Sequence, residues 1–213
     1  MSYSFDGSTQ WIGNVAASFS SSIPYTLACW FLSNNVGIAT NLVQLSDSTG
    51  NESFQLRTGT SAQILAGVTA GGTTNNASSA NSVLSTGIWY HGCAVFSSST
   101  LRTVYLNGTG VGTDTTSRTP TGTFTRLHIG SRRASSANTA FFNGRISDVG
   151  IWNAELTTDQ ILSLSKGMSC RLIRPQNLLF YTSLARELID TSNNLTLTNN
   201  SGATVSDHTR IYI

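Results

Sequence analysis

The chain has 213 residues, of which 10% are charged, against about a quarter in an average soluble protein. Small polar residues take the place of charge: 31 Ser, 29 Thr, 17 Asn and 19 Gly. Twelve basic and ten acidic side chains leave a net charge of +2, too balanced for the concentrated basic face of a duplex-binding protein, and no apolar run approaches the ~18 residues of a membrane span.

Short apolar and β-branched runs separated by Gly/Ser/Asn/Thr clusters recur from end to end, the pattern of an all-β sandwich or barrel. The hydrophobic share of 39% is too high for a disordered linker. The N-terminal MSYSFDGSTQWIG has neither the basic start nor the apolar centre of a secretory signal, so usual export is not expected. Strands are predicted over Ser2–Phe5, Trp11–Ile12, Tyr25–Leu32, Asn41–Leu45, Phe54–Arg57 and Ile64–Val68. In Tyr25–Leu32, Leu27, Cys29 and Phe31 share one face, and Ala28, Trp30 and Leu32 the other. Both faces are apolar, so this strand is expected to be covered on both sides. Ala70–Asn81 contains no core-forming residue and reads as an exposed loop, as does Ser131–Thr139.

Further strands are predicted over Ile88–Phe96, Thr103–Leu106, Arg126–Ile129, Arg145–Trp152, Leu178–Thr182 and Leu195–Leu197. Asn107-Gly108 supplies the two positive-φ residues of a type I′ hairpin turn leading to a strand around Val111. One helix is expected within Leu156–Gly167. Thr157 and Gln160 form a capping box, Asp159 and Lys166 match the helix dipole, and Gly167 stops it. Ile161, Leu162 and Leu164 give its inward stripe.

Cys29, Cys93 and Cys170 are odd in number and lack metal-ligand spacing. They read as buried free thiols, with a Cys29–Cys93 bridge as the alternative. The N-x-S/T sequons at Asn51, Asn76, Asn107, Asn194 and Asn199 are expected by chance in so Asn/Ser/Thr-rich a chain. Arg126, His128, Arg132 and Arg133 form the tightest basic group, read as solvated loop arginines.

The order SYSFDGSTQWI, TLACWFL, WYHGCAVF with RTVYLNG, LHIGSR and FNGRISDVGIWNAELTTDQILSLSKG resembles the laminin-G-like, concanavalin A-like jelly-roll family. The matching positions are Phe5, Asp6, Gly7, Thr26, Trp30, Trp89, His91, Tyr105, Asn107, Gly108, Ile129, Gly130, Phe142, Gly144, Ile146, Asp148, Trp152, Asn153, Leu156 and Gly167. The resemblance implies a two-sheet antiparallel sandwich with one short helix. The tail, LLFYTSLARELIDTSNNLTLTNNSGATV, resembles the stretch such domains carry before their Phe-Asp-Gly strand. Residues 171–213 are therefore expected to complete the same sandwich, as in a circular permutation, giving one domain over 1–213.

Enzymes of this class place paired glutamates about 5 Å apart, on alternate residues of one strand. Glu52, Glu155 and Glu187 are far apart in sequence, as are Asp6, Asp47, Asp114, Asp148, Asp159, Asp190 and Asp207, so no catalytic residue is assigned and a non-enzyme is expected. There is no G-x-S-x-G elbow and no phosphate-binding glycine loop. His91 reads as structural, and His208, in the terminal SDHTRIYI, as part of a docking segment. Asp6 and Asp148 read as turn residues; the resemblance admits Ca²⁺ at rim loops, although no clustered carboxylates are present for it. Trp11, Tyr25, Phe141 and Phe142 are candidates for a sugar-stacking platform. No cofactor and no metal ligand is assigned.

The resemblance extends to virion proteins of tailed phages, and the first expectation is a capsid decoration protein or fibre knob, trimeric by analogy, contacting other virion proteins and host surface polysaccharide. A Lys-poor, Ser/Thr/Asn-rich skin costs little side-chain entropy to immobilise in an assembly. The alternative is a carbohydrate-binding, lectin-like adhesin module, extracellular in location, with glycoside hydrolysis a remote third.

Overall fold

The computed structural model describes residues 1–185, 188–192 and 195–207. Glu187, Asn194, and the end of the tail from His208 onward, where a docking role was expected, lie outside the described residues. In chain order the elements are β1 (Ser2–Asp6), β2 (Trp11–Asn14), β3 (Phe19–Ser20), β4 (Tyr25–Ser33), β5 (Asn41–Ser46), β6 (Ser53–Thr58), β7 (Ile64–Ala70), β8 (Thr73–Ser78), β9 (Trp89–Ser98), β10 (Leu101–Leu106), β11 (Thr109–Asp114), β12 (Thr123–Phe124), β13 (Arg126–Ile129), β14 (Arg132–Ala134), β15 (Ala137–Thr139), β16 (Asn143–Trp152), α1 (Thr158–Ser165), β17 (Leu178–Thr182), β18 (Thr198–Asn200) and β19 (Thr204–Ser206).

Two large antiparallel sheets form the expected sandwich. The first runs β11-β10-β9-β4-β16-β1-β19, with β17 alongside the second half of β16; the second runs β18-β2-β13-β5-β6-β7-β8. Side chains on alternate residues point to opposite faces, which commits one face of each strand to the space between the sheets. Leu27, Cys29 and Phe31 of β4 meet Val43, Leu45, Phe54 and Leu56 of the second sheet there. Tyr25, Phe54, Phe96 and Phe124 pack ring on ring, with Phe54 and Phe96 centroids 4.5 Å apart. Tilted and edge-on rings add about 0.5–1.5 kcal/mol per pair beyond their burial.

The expected double covering of β4 is present. Ala28 joins Cys93, Val95, Trp152, Leu156, Ile161, Leu164 and Tyr181 in a second apolar cluster, behind the first sheet and beneath α1. The Trp152 indole donates to the Ile173 carbonyl at 2.8 Å, so this large ring is buried without an orphaned N–H. The helix has its capping box: the Gln160 amide donates to Thr157 Oγ1, and Gln160 Oε1 accepts the Thr157 amide. Its inward stripe differs from expectation. Ile161, Leu164 and Ser165 are buried while Leu162 is 42% exposed, because i, i+3 and i+4 share a helix face and i+1 does not. Lys166 is the C-cap and not part of the last turn.

Three other expectations are corrected. Within Ala70–Asn81, Thr73–Ser78 is an edge strand paired to β7, and Gly71 and Gly72 (φ +57° and +77°) make the turn. An edge strand needs backbone partners on one side only, and Ala77 alone faces the core, so little apolar signal was required. Ser131–Thr139 contains the β14–β15 hairpin, turning through Ser135 and Ser136 at positive φ. Near Leu195–Leu197, Thr196 makes a lone bridge to Ile189, and the strand begins at Thr198.

Asn107-Gly108 forms the expected turn (φ +50° and +85°) between β10 and β11. The three cysteines are free and buried. Cys29 and Cys93 lie on neighbouring strands but project to opposite faces, one into the inter-sheet core and one beneath the helix, which removes the bridge alternative. Beyond the helix, β17 pairs with β16, β18 with β2 and β19 with β1, so the tail adds strands to both sheets.

Candidate functional site

The alternation that sends Val43, Leu45, Phe54 and Leu56 inward sends Gln44, Gln55 and Arg57 to the outer face of the second sheet. Register aligns His128, Gln44, Gln55, Gly67 and Asn76 in one row across five strands, and Asn41, Arg57 and Leu65 in the next. The β14–β15 hairpin lies over this face. Gln44 Nε2 donates to the Arg133 carbonyl and Gln44 Oε1 accepts the Arg133 amide. Asn41 Nδ2 donates to the Ser131 carbonyl at 2.8 Å, and the Asn41 amide to the Ala140 carbonyl.

Two hollows flank Arg132 under this cover. One, of about 220 Å³, is lined by Thr40, Asn41, Arg57, Arg132 and Thr139; the other, of about 150 Å³, by Asn51, Gln55, Thr69, Thr74, Arg132 and Ser135. The buried atoms Asn41 Oδ1, Gln55 Oε1, Arg57 Nε, Arg132 Nε and Thr139 Oγ1 around them have no hydrogen-bond partner. Buried polar groups without partners are uncommon in folded proteins. Burial pushes the Arg57 guanidinium below its ordinary pKa, and the charge of Arg132 pushes it further; burial does the same to Arg132. This face offers amide acceptors, hydroxyls and guanidinium donors without an aromatic platform.

A third hollow, of about 230 Å³, lies at the opposite side of the sandwich where α1 meets the first sheet, lined by Met1, Trp30, His91, Asp148, Leu164, Met168 and Cys170 among others. His91 Nδ1 is also buried without a hydrogen-bond partner here, but this hollow offers no arginine and no side-chain amide. His91 is 2% exposed, sits edge-on to Trp30 at 5.5 Å, and is pushed by burial to a pKa of about 3. Asp148 accepts the Tyr181 hydroxyl at 3.0 Å. It was read as a turn residue, and its φ of +47° inside β16 does mark a bulge between Ser147 and Gly150.

The proposed sugar-stacking rings do not present free faces. Trp11 is 9% exposed and stacks on His128 with centroids 4.4 Å apart; Tyr25 and Phe142 are core, and Phe141 is half-buried. The basic group is also not a set of solvated loop arginines. Arg126 and His128 lie on β13, His128 is buried, and Arg132 and Arg133 belong to the β14–β15 hairpin. Asp6, Asp47, Glu52, Asp114, Asp148 and Asp190 serve turns and pairs. Asp6 accepts the amides of Ser8, Thr9 and Gln10; burial raises its pKa, but the Thr9 and Ser8 hydrogen bonds outweigh that and hold it well below the usual range. Asp47 accepts the amides of Gly50 and Glu52, Glu52 those of Gly71 and Thr121, and Asp190 those of Tyr181, Ser192 and Leu195. No group of three His, Cys, Asp or Glu side chains suited to a metal occurs among the described residues.

The trough of Asn41, Gln55, Arg57 and Arg132 was not singled out from sequence. Its signal is Gln55 and Arg57 at alternate positions of SFQLRT. Asn41 and Gln44 of NLVQLS are three apart and come to the same face across a register shift between Asn41 and Val43, so only the register shows that these positions share a face with the hairpin.

The profile of the concanavalin A-like lectin/glucanases superfamily matches residues 6–162. The chain belongs to that superfamily. A search of curated protein sequences finds no match. Among solved structures, the chain is similar to the native heptameric SAP-like pentraxin of Limulus polyphemus, with a TM-score of 0.70, 15% identity, and 95% of this chain and 93% of that chain covered. It is also similar to the Ruminococcus gnavus IT-sialidase CBM40 bound to α2,3-sialyllactose, with a TM-score of 0.55, 11% identity, and coverage of 71% and 94%. For domains LG4-5 of the mouse laminin α1 chain the TM-score is 0.56 at 17% identity, with 70% of this chain and 40% of that chain covered. At these identities the likeness establishes the superfamily fold.

Proposed function

We propose that the chain is a non-catalytic, lectin-like carbohydrate-binding module, with its binding surface on the outer face of the second sheet. The observation that carries this reading is the set of buried atoms without partners around Arg132: the Asn41 and Gln55 amide oxygens, the Thr139 hydroxyl, and Nε of Arg57 and Arg132. Sugar hydroxyls donate and accept at once, so Asn41 and Gln55 carbonyl oxygens and arginine N–H groups are complementary to them. Each such bond is worth about 0.5–1.5 kcal/mol net, and a handful gives micromolar to millimolar affinity. The CBM40 neighbour, whose structure holds sialyllactose, supports the same class of ligand. Against hydrolysis stands the engagement of Asp6, Asp47, Glu52 and Asp190 in turns, where retaining chemistry needs two carboxylates facing each other at about 5 Å.

The test is a glycan array probed with the labelled chain, followed by titration of the best ligand into the parent and a Gln55→Ala variant. Saturable binding that weakens in the variant, with no cleavage of the glycan, is the expected result; a blank array or released sugar overturns the proposal.

Placement on a virion surface rests on the charge-poor skin, and none of the relatives named above bears on it. The discriminating observation is mass spectrometry of purified particles. Assembly as a homotrimer likewise rests on analogy, and light scattering on the purified chain decides it.

A further inference from the structure

We infer that the hollow walled by Arg57 and Arg132 takes an acidic sugar, whose anionic group sits between the two guanidinium groups. This rests on the carbohydrate-binding reading and narrows its ligand class.

Arg57 reaches the hollow from β6 and Arg132 from β14. Its lining contains no carboxylate. Elsewhere the described arginines are mostly committed: Arg102 to Asp114, Arg118 to Asn75, Arg133 to Ser48 and Asn138, Arg145 to the Asp207 carbonyl and Arg174 to the Glu155 carbonyl. Arg57 and Arg132 leave buried Nε atoms without partners, as does Arg126, but only Arg57 and Arg132 line this hollow. Arg57 and Arg132 line one partly dehydrated space: burial first, and then the charge of Arg132, lowers the pKa of Arg57, and a bound oxyanion offsets both effects. Guanidinium groups hold carboxylate and sulfate oxygens through paired, charge-assisted hydrogen bonds.

Asn41 calls for a hydrogen-bond donor beside the anionic group. The side chain is fully buried, and its Nδ2 donates to the Ser131 carbonyl, which fixes the amide orientation. Its Oδ1 has no partner and needs a donor, which a sugar hydroxyl supplies and sulfate does not. Anion acceptors beside hydroxyl donors define an acidic saccharide.

The experiment is a glycan array carrying matched neutral, carboxylated and sulfated members, read at low and high salt, with parent, Arg57→Gln, Arg132→Gln and Arg57→Lys chains. Charged glycans are expected to bind at least about tenfold better than their neutral counterparts. The preference falls as salt rises from about 0.05 to 0.5 M. Each Gln variant is expected to lose about tenfold on charged glycans, with Arg57→Lys intermediate. A preference for carboxylated or for sulfated members supports the inference in either case and identifies the acid group. Equal binding of neutral and charged members, or Gln variants that melt like the parent and keep the preference, overturns the inference while leaving carbohydrate binding intact. Competition by free inorganic sulfate as effective as the glycan also overturns it. A blank array overturns it together with the proposed function.

Discussion

Gln44 and Arg133 are joined by a two-way clasp: Gln44 Nε2 donates to the Arg133 carbonyl at 3.1 Å, and Gln44 Oε1 accepts the Arg133 amide at 2.6 Å. The side-chain amide imitates a β-bridge and sews the β14–β15 hairpin to the sheet, one residue from Arg132. Gln44→Ala is expected to cost about 1–3 kcal/mol, the range for leaving buried backbone groups unmet. It is also expected to weaken glycan binding, since Arg132 loses its support. Denaturant titration and glycan titration on the same variant check both effects.

Asp148 has a left-handed backbone and a carboxyl that burial raises above its ordinary pKa, against the lowering effect of the Tyr181 hydrogen bond. Asparagine tolerates that backbone, accepts the same hydroxyl and carries no charge. Asp148→Asn is therefore expected to match or exceed the parent in stability at pH 7. Asp148→Ala is expected to lose about 1–3 kcal/mol, because it strains the backbone and orphans Tyr181. Thermal melts of the pair give the comparison.

Stability is expected to fall on mild acidification. Burial holds His91 down to a pKa of about 3; burial, with the charges of Arg133 and Arg126, holds His128 down to about 4. Against an unfolded value of about 6.5, both rings stay neutral in the fold. Their contribution is complete above about pH 6.5 and is lost as pH falls toward the folded values, since the unfolded chain takes up protons first. Urea titrations at pH 7 and 4.5 are expected to differ by about 3 kcal/mol or more, with a smaller difference in His128→Gln.

The fold was legible where one strand carries its own pattern. The alternation in TLACWFL placed Leu27, Cys29 and Phe31 in one core and Ala28 beneath the helix, and Thr157 with Gln160 marked the helix start. It was illegible where pairing partners decide. Thr73–Ser78 and Arg132–Ala134 have almost no apolar content and become strands through neighbours and positive-φ turns. The candidate site suffers the same limit, because Asn41, Gln55, Arg57 and Arg132 meet only after two strands and a hairpin take their register.

Gly108 marks where the β10–β11 turn touches the helix. A Cβ there would lie 2.6 Å from Ser165 Oγ and 3.0 Å from Leu162 Cα, at a φ of +85°. Gly108→Ala is expected to destabilise by about 1–3 kcal/mol through strain and contact together, read as a lowered Tm.

We expect strands β17, β18 and β19 to belong to the same cooperative unit as the rest, since each pairs with an N-terminal or central strand. A chain ending at residue 168 is expected to be insoluble or to melt without cooperativity. A soluble truncation with a sharp transition would instead make residues 171–213 an accessory.

The central claim is that the outer face of the second sheet binds a saccharide, and amide NMR mapping during titration with the best glycan from the array tests it most directly. The account predicts saturable shifts concentrated at Asn41, Gln55, Arg57 and the 131–139 hairpin, with the helix side unchanged. Shifts concentrated instead around Trp30, His91 and Asp148 would contradict it.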